Sequence, residues 1–195
     1  MRTPMQLVLA STSPYRRALL DRLTSNFICD PPQVDESWQP PETPAALVMR
    51  LAYAKAKAVA ARQPQSLVIG ADQVAAFDSI ILGKPGSHAR ALAQLTAVSG
   101  HSVSFHTGVC VLDTRSQQHH EHLDTTQVRF RLLSAIEIER YLQAEQPYDC
   151  AGSFRSEALG ISLFDAIESE DPTALIGLPL IGLCRLLRAC GIHLP

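Results

Sequence analysis

Asp72, Glu36, Lys55, Lys84 and Arg16 are the charged residues of this chain whose sequence neighbours point to chemistry. Asp72 follows the apolar run Ser66-Leu-Val-Ile-Gly-Ala71, and in α/β sheets binding and catalytic groups gather at the C-terminal ends of strands. Glu36 lies in a proline-rich stretch. Together the two carboxylates would offer oxygen donors to Mg²⁺ or Mn²⁺, ions that take carboxylates plus substrate phosphates rather than a complete protein cage. The alternative is that Asp72 caps a turn and Glu36 is solvated. Lys55 falls within the helical stripe of Leu47, Val48, Leu51, Ala58 and Val59, whereas Lys57 points the other way. An ammonium on that inward face either reaches out at a helix edge or meets an anion such as a phosphate. Lys84 sits in a tight Gly83-Lys84-Pro85 loop, and with Lys55 and Arg16 it could neutralise a triphosphate tail.

Leu9-Ala-Ser-Thr-Ser-Pro-Tyr-Arg-Arg17 sets the hydroxyls of Ser11 and Ser13, free backbone N–H groups and guanidinium groups where a strand gives way to a helix. Such a start favours anions, and arginine adds bidentate contacts to phosphate oxygens. A simple Ser13 cap with solvated arginines is the competing reading. His119-His120-Glu121-His122 could be taken for a transition-metal site, but the spacing does not put the rings on one face and a solvated hairpin tip is expected. Gly83-Lys84-Pro85 lacks the glycine spacing and the Ser/Thr of a P-loop, and neither a G-x-S-x-G elbow nor a dinucleotide fingerprint is present. Cys150 has no histidine nearby in sequence and is read as packed rather than nucleophilic.

The elements that must carry these groups alternate between strand and helix. Gln6 to Ala10 reads as a buried strand, followed by a Ser13-capped helix from Pro14 to about Leu23. Asp30 to Pro44, with Pro31, Pro32, Pro40, Pro41 and Pro44, reads as a loop carrying Asp35 and Glu36. A helix is predicted over Ala45 to Arg62, then a strand over Ser66 to Gly70 ending at Ala71-Asp72-Gln73. Val74 to Phe77 and Ile80 to Leu82 form a small hairpin about Asp78-Ser79, and Ser87 to Ser99 a helix closed by Gly100. Ser102 to Asp113 and Gln127 to Leu132 are predicted to pair across a polar, histidine-rich connection, Thr114 to Thr126. Ser134-Ala-Ile-Glu137 opens a helix to about Glu145 with a capping box. A loop over Asp149 to Ser153, a strand pair within Phe154 to Ala166 and a helix from Pro179 to Ala189 complete the chain. The interleaving predicts an α/β fold with a mixed sheet.

With 195 residues and 46% hydrophobic content the chain can build one substantial core, or two lobes sharing one cleft. Its apolar runs fall short of the roughly 20 residues of a membrane span, and no secretory signal is read at the N-terminus, so a cytoplasmic protein is expected. The cysteines, Cys29, Cys110, Cys150, Cys184 and Cys190, are scattered and never spaced C-x-x-C, which argues for reduced thiols rather than a disulfide framework or zinc knuckle. A formal net charge of −2 gives no general attraction to nucleic acid, so a small ligand bound by a local cluster of cations is expected.

Taken in order, Ala10-Ser-Thr-Ser-Pro-Tyr-Arg-Arg17, Val34-Asp-Glu36, Ala54-Lys-Ala56, Ile69-Gly-Ala-Asp-Gln73, Gly83-Lys-Pro85, Ala151-Gly-Ser153 and Gly177-Leu-Pro179 resemble the Maf family of nucleotide pyrophosphatases over nearly the whole chain. The resemblance implies a single domain spanning residues 1–195, of the inosine triphosphatase type: a mixed twisted sheet flanked by helices, with two lobes around a cleft. It also implies a divalent metal cofactor, release of pyrophosphate, and Asp72 as proton acceptor. Homodimers occur among similar proteins, though no surface announces one here. Tyr15, Gln73 and Glu157 match the base-selective positions of the 7-methyl-GTP subgroup, with tyrosine where tryptophan is common; the dTTP/UTP subgroup has Arg, Thr and Gln there. An aromatic face at Tyr15 suits a cationic methylated guanine, and Glu157 suits its N1–H and N2–H₂ edge, which no pyrimidine offers. The expected function is hydrolysis of 7-methyl-GTP at the α-phosphorus, with a dTTP/UTP pyrophosphatase or a non-catalytic nucleotide-sensing regulator of cell division as alternatives.

Overall fold

The computed structural model describes residues 5–78 and 80–194, so Ser79 of the expected hairpin turn lies outside the described residues. The elements are β1 (Gln6–Ala10), α1 (Pro14–Asp21), β2 (Phe27–Cys29), α2 (Pro44–Ala60), β3 (Ser66–Phe77), β4 (Ile80–Leu82), α3 (His88–Val98), β5 (Ser102–Asp113), β6 (His119–Phe130), α4 (Ala135–Glu145), β7 (Phe164–Glu168) and α5 (Leu180–Ala189). Short 3-10 turns occupy Ala151–Ser153, Leu159–Leu163 and Ala174–Ile176. The strand order is β2-β1-β3-β5-β6-β7, with β4 pairing to β3 off that path. β1 runs parallel to β2 and β3, whereas β3–β4 and β6–β7 are antiparallel, giving the mixed α/β sheet that the sequence predicts. Among the described residues no helix is long and apolar enough to cross a membrane.

The chain divides into two compact units, one built from the segments ending at Asp72, spanning Thr107–Asp124 and starting at Asp171, the other from Gln73–His106 and Thr125–Glu170. In the first, successive residues of a strand serve opposite faces. Leu7, Leu9, Leu67, Ile69, Val109 and Val111 pack with Leu19 and Leu20 of α1 and Leu183 and Leu187 of α5. Val8, Ala10, Val68, Cys110 and Leu112 pack with Ala52, Ala56 and Val59 of α2. Helices on both faces explain why β1 and β3 begin as unbroken apolar runs rather than alternating ones. Each fully buried Leu, Ile or Val among them contributes about 1.5–3 kcal/mol relative to exposure.

The helix starts follow from local chemistry. Ser13 Oγ accepts from Arg16 N at the start of α1, Thr43 Oγ1 accepts from Ala46 N at the start of α2, and both helices carry proline in the first turn. Pro179 gives α5 no side-chain cap. Its first N–H groups are met from a distance: Thr173 Oγ1 accepts from Leu180 N at 2.8 Å, and Asp171 Oδ2 from Ile181 N at 2.6 Å. In the second unit, Phe154 packs edge-on against Phe105, Phe130 and Phe164, with centroids 4.7 to 5.6 Å apart. The expected capping box of α4 is present, with Ser134 and Glu137 bonded reciprocally.

The structure corrects several expectations. β3 is one strand of 12 residues, so Asp72 stands inside it rather than at its end. The strand runs through its polar residues because Asp72 has a buried partner on α2. His119, His120, Glu121 and His122 are not a hairpin tip but the start of β6. The actual turn is tighter, closed by Asp113 N donating to Gln118 O at 2.9 Å. Period-two patterning then puts His120 and His122 on one face and His119 on the other, where its ring lies 4.6 Å from that of Tyr53. No strand pair forms within Phe154 to Ala166; the only strand there, β7, pairs with β6 instead. At Gly160 the chain folds back on itself so closely that a Cβ would lie 2.3 Å from Arg155 O, which extended strands would not allow. α1 and α2 each stop two residues short of the predicted Leu23 and Arg62.

Candidate active site

α2 rests directly on β3. A Cβ at Gly70 would lie 2.1 Å from Ala52 O and 2.7 Å from Ala56 N, so only glycine allows this approach. Lys55 is thereby carried down to the sheet, where it is 5% exposed. Asp72, two residues beyond Gly70 and on the same strand face, is 6% exposed. Lys55 Nζ donates to Asp72 Oδ1 at 2.6 Å and pairs with Glu36 Oε1 at 2.8 Å. Lys55 thus points inward as its helical position predicts, and Asp72 does not cap a turn. The partners of Lys55 are carboxylates rather than bulk solvent.

Arg16 joins this group electrostatically. Burial lowers its pKa, while Asp72 and then Glu36 pull it back up, and the guanidinium stays charged. Its Nε donates to Gly177 O at 2.8 Å, and Gly177 holds φ at 123°, a conformation that favours glycine. The Arg16 and Gly177-Leu-Pro179 segments, far apart in sequence, therefore meet. At the same helix start Ser11 Oγ accepts from Ser13 N at 3.0 Å and Ser13 Oγ from Arg16 N at 3.3 Å. The Ser13 cap is real, and each hydroxyl keeps a proton to donate. Tyr15 is partly buried on the first turn of α1.

The Glu36 loop is fixed by an arginine that the sequence reading passed over. Arg50 of α2 donates to both oxygens of Glu42, at 2.9 and 2.7 Å, and to Ser37 O at 3.0 Å. Trp38 Nε1 donates to Glu42 O at 2.9 Å, and Asp35 accepts from Ser37 N and Oγ. Glu36, with its side chain 58% exposed, is thus held between an Asx turn and a bidentate clamp. The available signal was a basic residue on the helix that follows an acidic loop.

Lys55, Asp72, Glu36 and Arg16 are brought together within the first unit. Gln73, Lys84 and Glu157 belong to the second. Gln73 is partly buried and follows Asp72 along β3, on the opposite strand face. Lys84 is exposed in an irregular connection between β4 and α3, tied down by Gly86 N donating to Tyr148 O at 2.9 Å. Glu157 is exposed and accepts from Ser156 Oγ at 3.3 Å. Burial pushes the Cys150 thiol above its ordinary pKa, in keeping with a packed residue, and all the cysteines are free.

Among the described residues no group of three or more His, Cys, Asp or Glu side chains is arranged to hold a metal ion. Glu36 Oε1 and Asp72 Oδ1 nevertheless converge on one point, the Lys55 ammonium. An all-oxygen carboxylate pair is the donor set that fits a hard divalent cation completing its shell with phosphate and water.

A mixed α/β fold with a buried ammonium between two carboxylates, and an arginine beside them, defines a protein equipped for polyanion chemistry. The family model described as "Maf-like protein" matches residues 6–190, and the chain belongs to the Maf family. A protein of Xanthomonas axonopodis pv. citri (strain 306) named 7-methyl-GTP pyrophosphatase is 58% identical over 190 residues, 97% of this chain and 99% of the relative. Proteins of the same name from Burkholderia pseudomallei (strain 1710b) and Albidiferax ferrireducens are 55% and 54% identical, over 98% of this chain and 91% and 98% of theirs. A HAM1 protein from Coxiella burnetii, 18% identical with a TM-score of 0.46 over 65% of this chain and 73% of its own, is too slight a likeness to carry an argument.

Proposed function

We propose that this chain hydrolyses 7-methyl-GTP to 7-methyl-GMP and diphosphate. The observation that carries the reading is the buried Lys55 ammonium held by Asp72 and Glu36, in a family whose near-full-length relatives bear that enzyme's name. Glu36 and Asp72 would hold a divalent cation together with substrate oxygens. Such an ion, when bound, polarises the phosphoryl group and makes a bound water more acidic.

The chain's own residues do the rest. Asp72 accepts the proton of the attacking water. Lys55 and Arg16 bind phosphate oxygens, Ser11 and Ser13 donate to them, and Lys84 is a further phosphate-binding cation. Displacement at the α-phosphorus with diphosphate leaving needs no covalent nucleophile, because phosphoryl transfer rests on positioning and charge stabilisation. Tyr15 stacks on the cationic base, Glu157 accepts from its N1–H and N2–H₂ edge, and Gln73 meets the remaining polar edge. The substrate is a small nucleotide of the cytoplasm, and neither nucleic acid nor membrane is required.

The test is a panel of 7-methyl-GTP, GTP, dTTP and UTP, with products identified and with divalent metal present or chelated. Metal-dependent release of diphosphate, fastest from 7-methyl-GTP, is expected. Release of orthophosphate would overturn the reaction, a preference for dTTP or UTP the base assignment, and tight binding without turnover the enzymatic reading itself.

A further inference from the structure

Ser153 is fully buried, non-glycine, and held at φ 65°, next to Gly152 at φ 73°. Two successive residues in the left-handed region, one of them with a side chain, are costly and persist where the surroundings over-determine them. The Ser153 hydroxyl so presented donates to Gln94 Oε1 on α3, 59 residues away in sequence. The other end of that amide, Nε2, donates to Gly83 O at 3.1 Å. Gly83 immediately precedes Lys84. The amide orientation is fixed by Gly83, since turning it over would set Oε1 against the Gly83 carbonyl, whereas the serine hydroxyl can bond to either end. A primary amide is suited to this place because it accepts at one end and donates at the other. On its far side the same segment is tied by Gly86 N to Tyr148 O, and the Tyr148 hydroxyl lies 3.1 Å from His88 Nδ1, whose Nε2 is 2.9 Å from Glu139 Oε2. The backbone carrying Lys84 is therefore gripped on both sides, while its side chain is exposed.

We infer that Gln94 is a positioning residue for Lys84: it transmits the fixed place of the buried Ser153 to the Gly83-Lys84-Pro85 segment and so sets where the ammonium meets the triphosphate. This rests on the phosphate-binding role proposed for Lys84. Gln94 itself touches no substrate.

Two substitutions separate positioning from folding. Gln94→Glu still accepts from Ser153 but has no proton for Gly83 O, whereas Gln94→Met loses both bonds and adds no charge. Each is made in the parent and in Lys84→Met, and diphosphate release from 7-methyl-GTP is measured against substrate concentration. If Gln94 acts through Lys84, both variants raise KM by about tenfold in the parent, with kcat changing less, and alter it by less than about twofold once Lys84 is gone. Equal losses in both backgrounds, or no effect of Lys84→Met, overturn the inference while leaving the reaction standing. Hydrogen exchange over residues 83–86 is followed in the same proteins. Faster exchange in Gln94→Glu is expected, and unchanged exchange overturns the strut even if the parent proves inert, an outcome that would by itself condemn only the proposed reaction.

Discussion

Lys55 and Asp72 form a buried ion pair at 2.6 Å, set up by a glycine two residues before the aspartate. The pair is hydrogen-bonded, and Glu36 approaches the same ammonium from the loop at 2.8 Å. One ammonium against two carboxylates leaves the trio negative, and the Arg16 guanidinium beside it offsets that charge. An incoming phosphate would in turn find Lys55 and Arg16. Removing one member of a buried pair costs about 3–5 kcal/mol where no substitute partner remains, so the trio serves stability as well as the proposed reaction.

Asp72→Asn keeps an acceptor for Lys55 and leaves Glu36 to balance its charge, so the fold should survive. It removes the proposed proton acceptor. Turnover should fall by about 10²- to 10⁴-fold while nucleotide binding stays detectable by calorimetry. Near-normal diphosphate release from the pure variant would rule Asp72 out as base.

Gly70→Ala places a methyl group 2.1 Å from a backbone oxygen of α2, which has no flexible side chain to move aside. A loss of about 2 kcal/mol or more is expected in urea unfolding, because the helix must lift from the sheet. Gly83→Ala, with nothing within 4 Å of the added atom, is the matched control and should be close to neutral. Similar midpoints for the two variants would contradict the close seat of α2 on β3.

Arg50→Ala removes the contacts that bind Ser37 and Glu42 to α2. The loop should be cut faster by a protease near Trp38, and more divalent metal should be needed for half-maximal rate, since Glu36 loses its fixed place. Resistance to proteolysis equal to that of the parent would show that the prolines and the loop's own hydrogen bonds order this segment without Arg50.

Much of this was legible in the residues, for identifiable reasons. β1, α1, α2 and α4 were marked by apolar periodicity and by Ser13 and Ser134 at their starts, and Lys55 by its place on a helical stripe. The extent of β3 was not, because Asp72 and Gln73 look like the end of a strand until the partner on α2 is known. β6 was hidden for a similar reason: its exposed positions include His119 and Glu121, so the polar start resembled a loop. Arg50, Asp171 and Gln94 act through contacts with Glu42, the start of α5 and Gly83, and no local spacing encodes such distant pairings.

Glu157→Gln exchanges an ionised acceptor for a neutral amide of the same shape. If Glu157 reads the guanine edge and its charge favours a cationic base, both guanine nucleotides should lose kcat/KM and the preference for 7-methyl-GTP over GTP should shrink by about tenfold. An unchanged ratio, with rates on both guanine nucleotides also unchanged, would remove Glu157 from base selection.

The capping box of α4 gives a pH-dependent prediction away from the candidate site. The Glu137 carboxylate accepts from Ser134 N at 2.8 Å, Ser134 Oγ at 2.7 Å and Arg131 at 3.2 Å. These bonds, that from the Ser134 backbone foremost, lower its pKa from 4.5 to about 2. A carboxylate whose folded pKa is depressed stabilises the protein above its unfolded pKa, and that contribution disappears as pH falls through the folded value. Glu137→Gln should therefore be less stable than the parent at pH 7, with the gap narrowing as pH drops from about 4.5 towards about 2. Comparing the two proteins at each pH cancels the titration of groups they share. A gap that stayed constant down to the acid limit would mean that the protonated carboxyl serves the cap as well as the ionised one, and that the charge of Glu137 contributes nothing to α4.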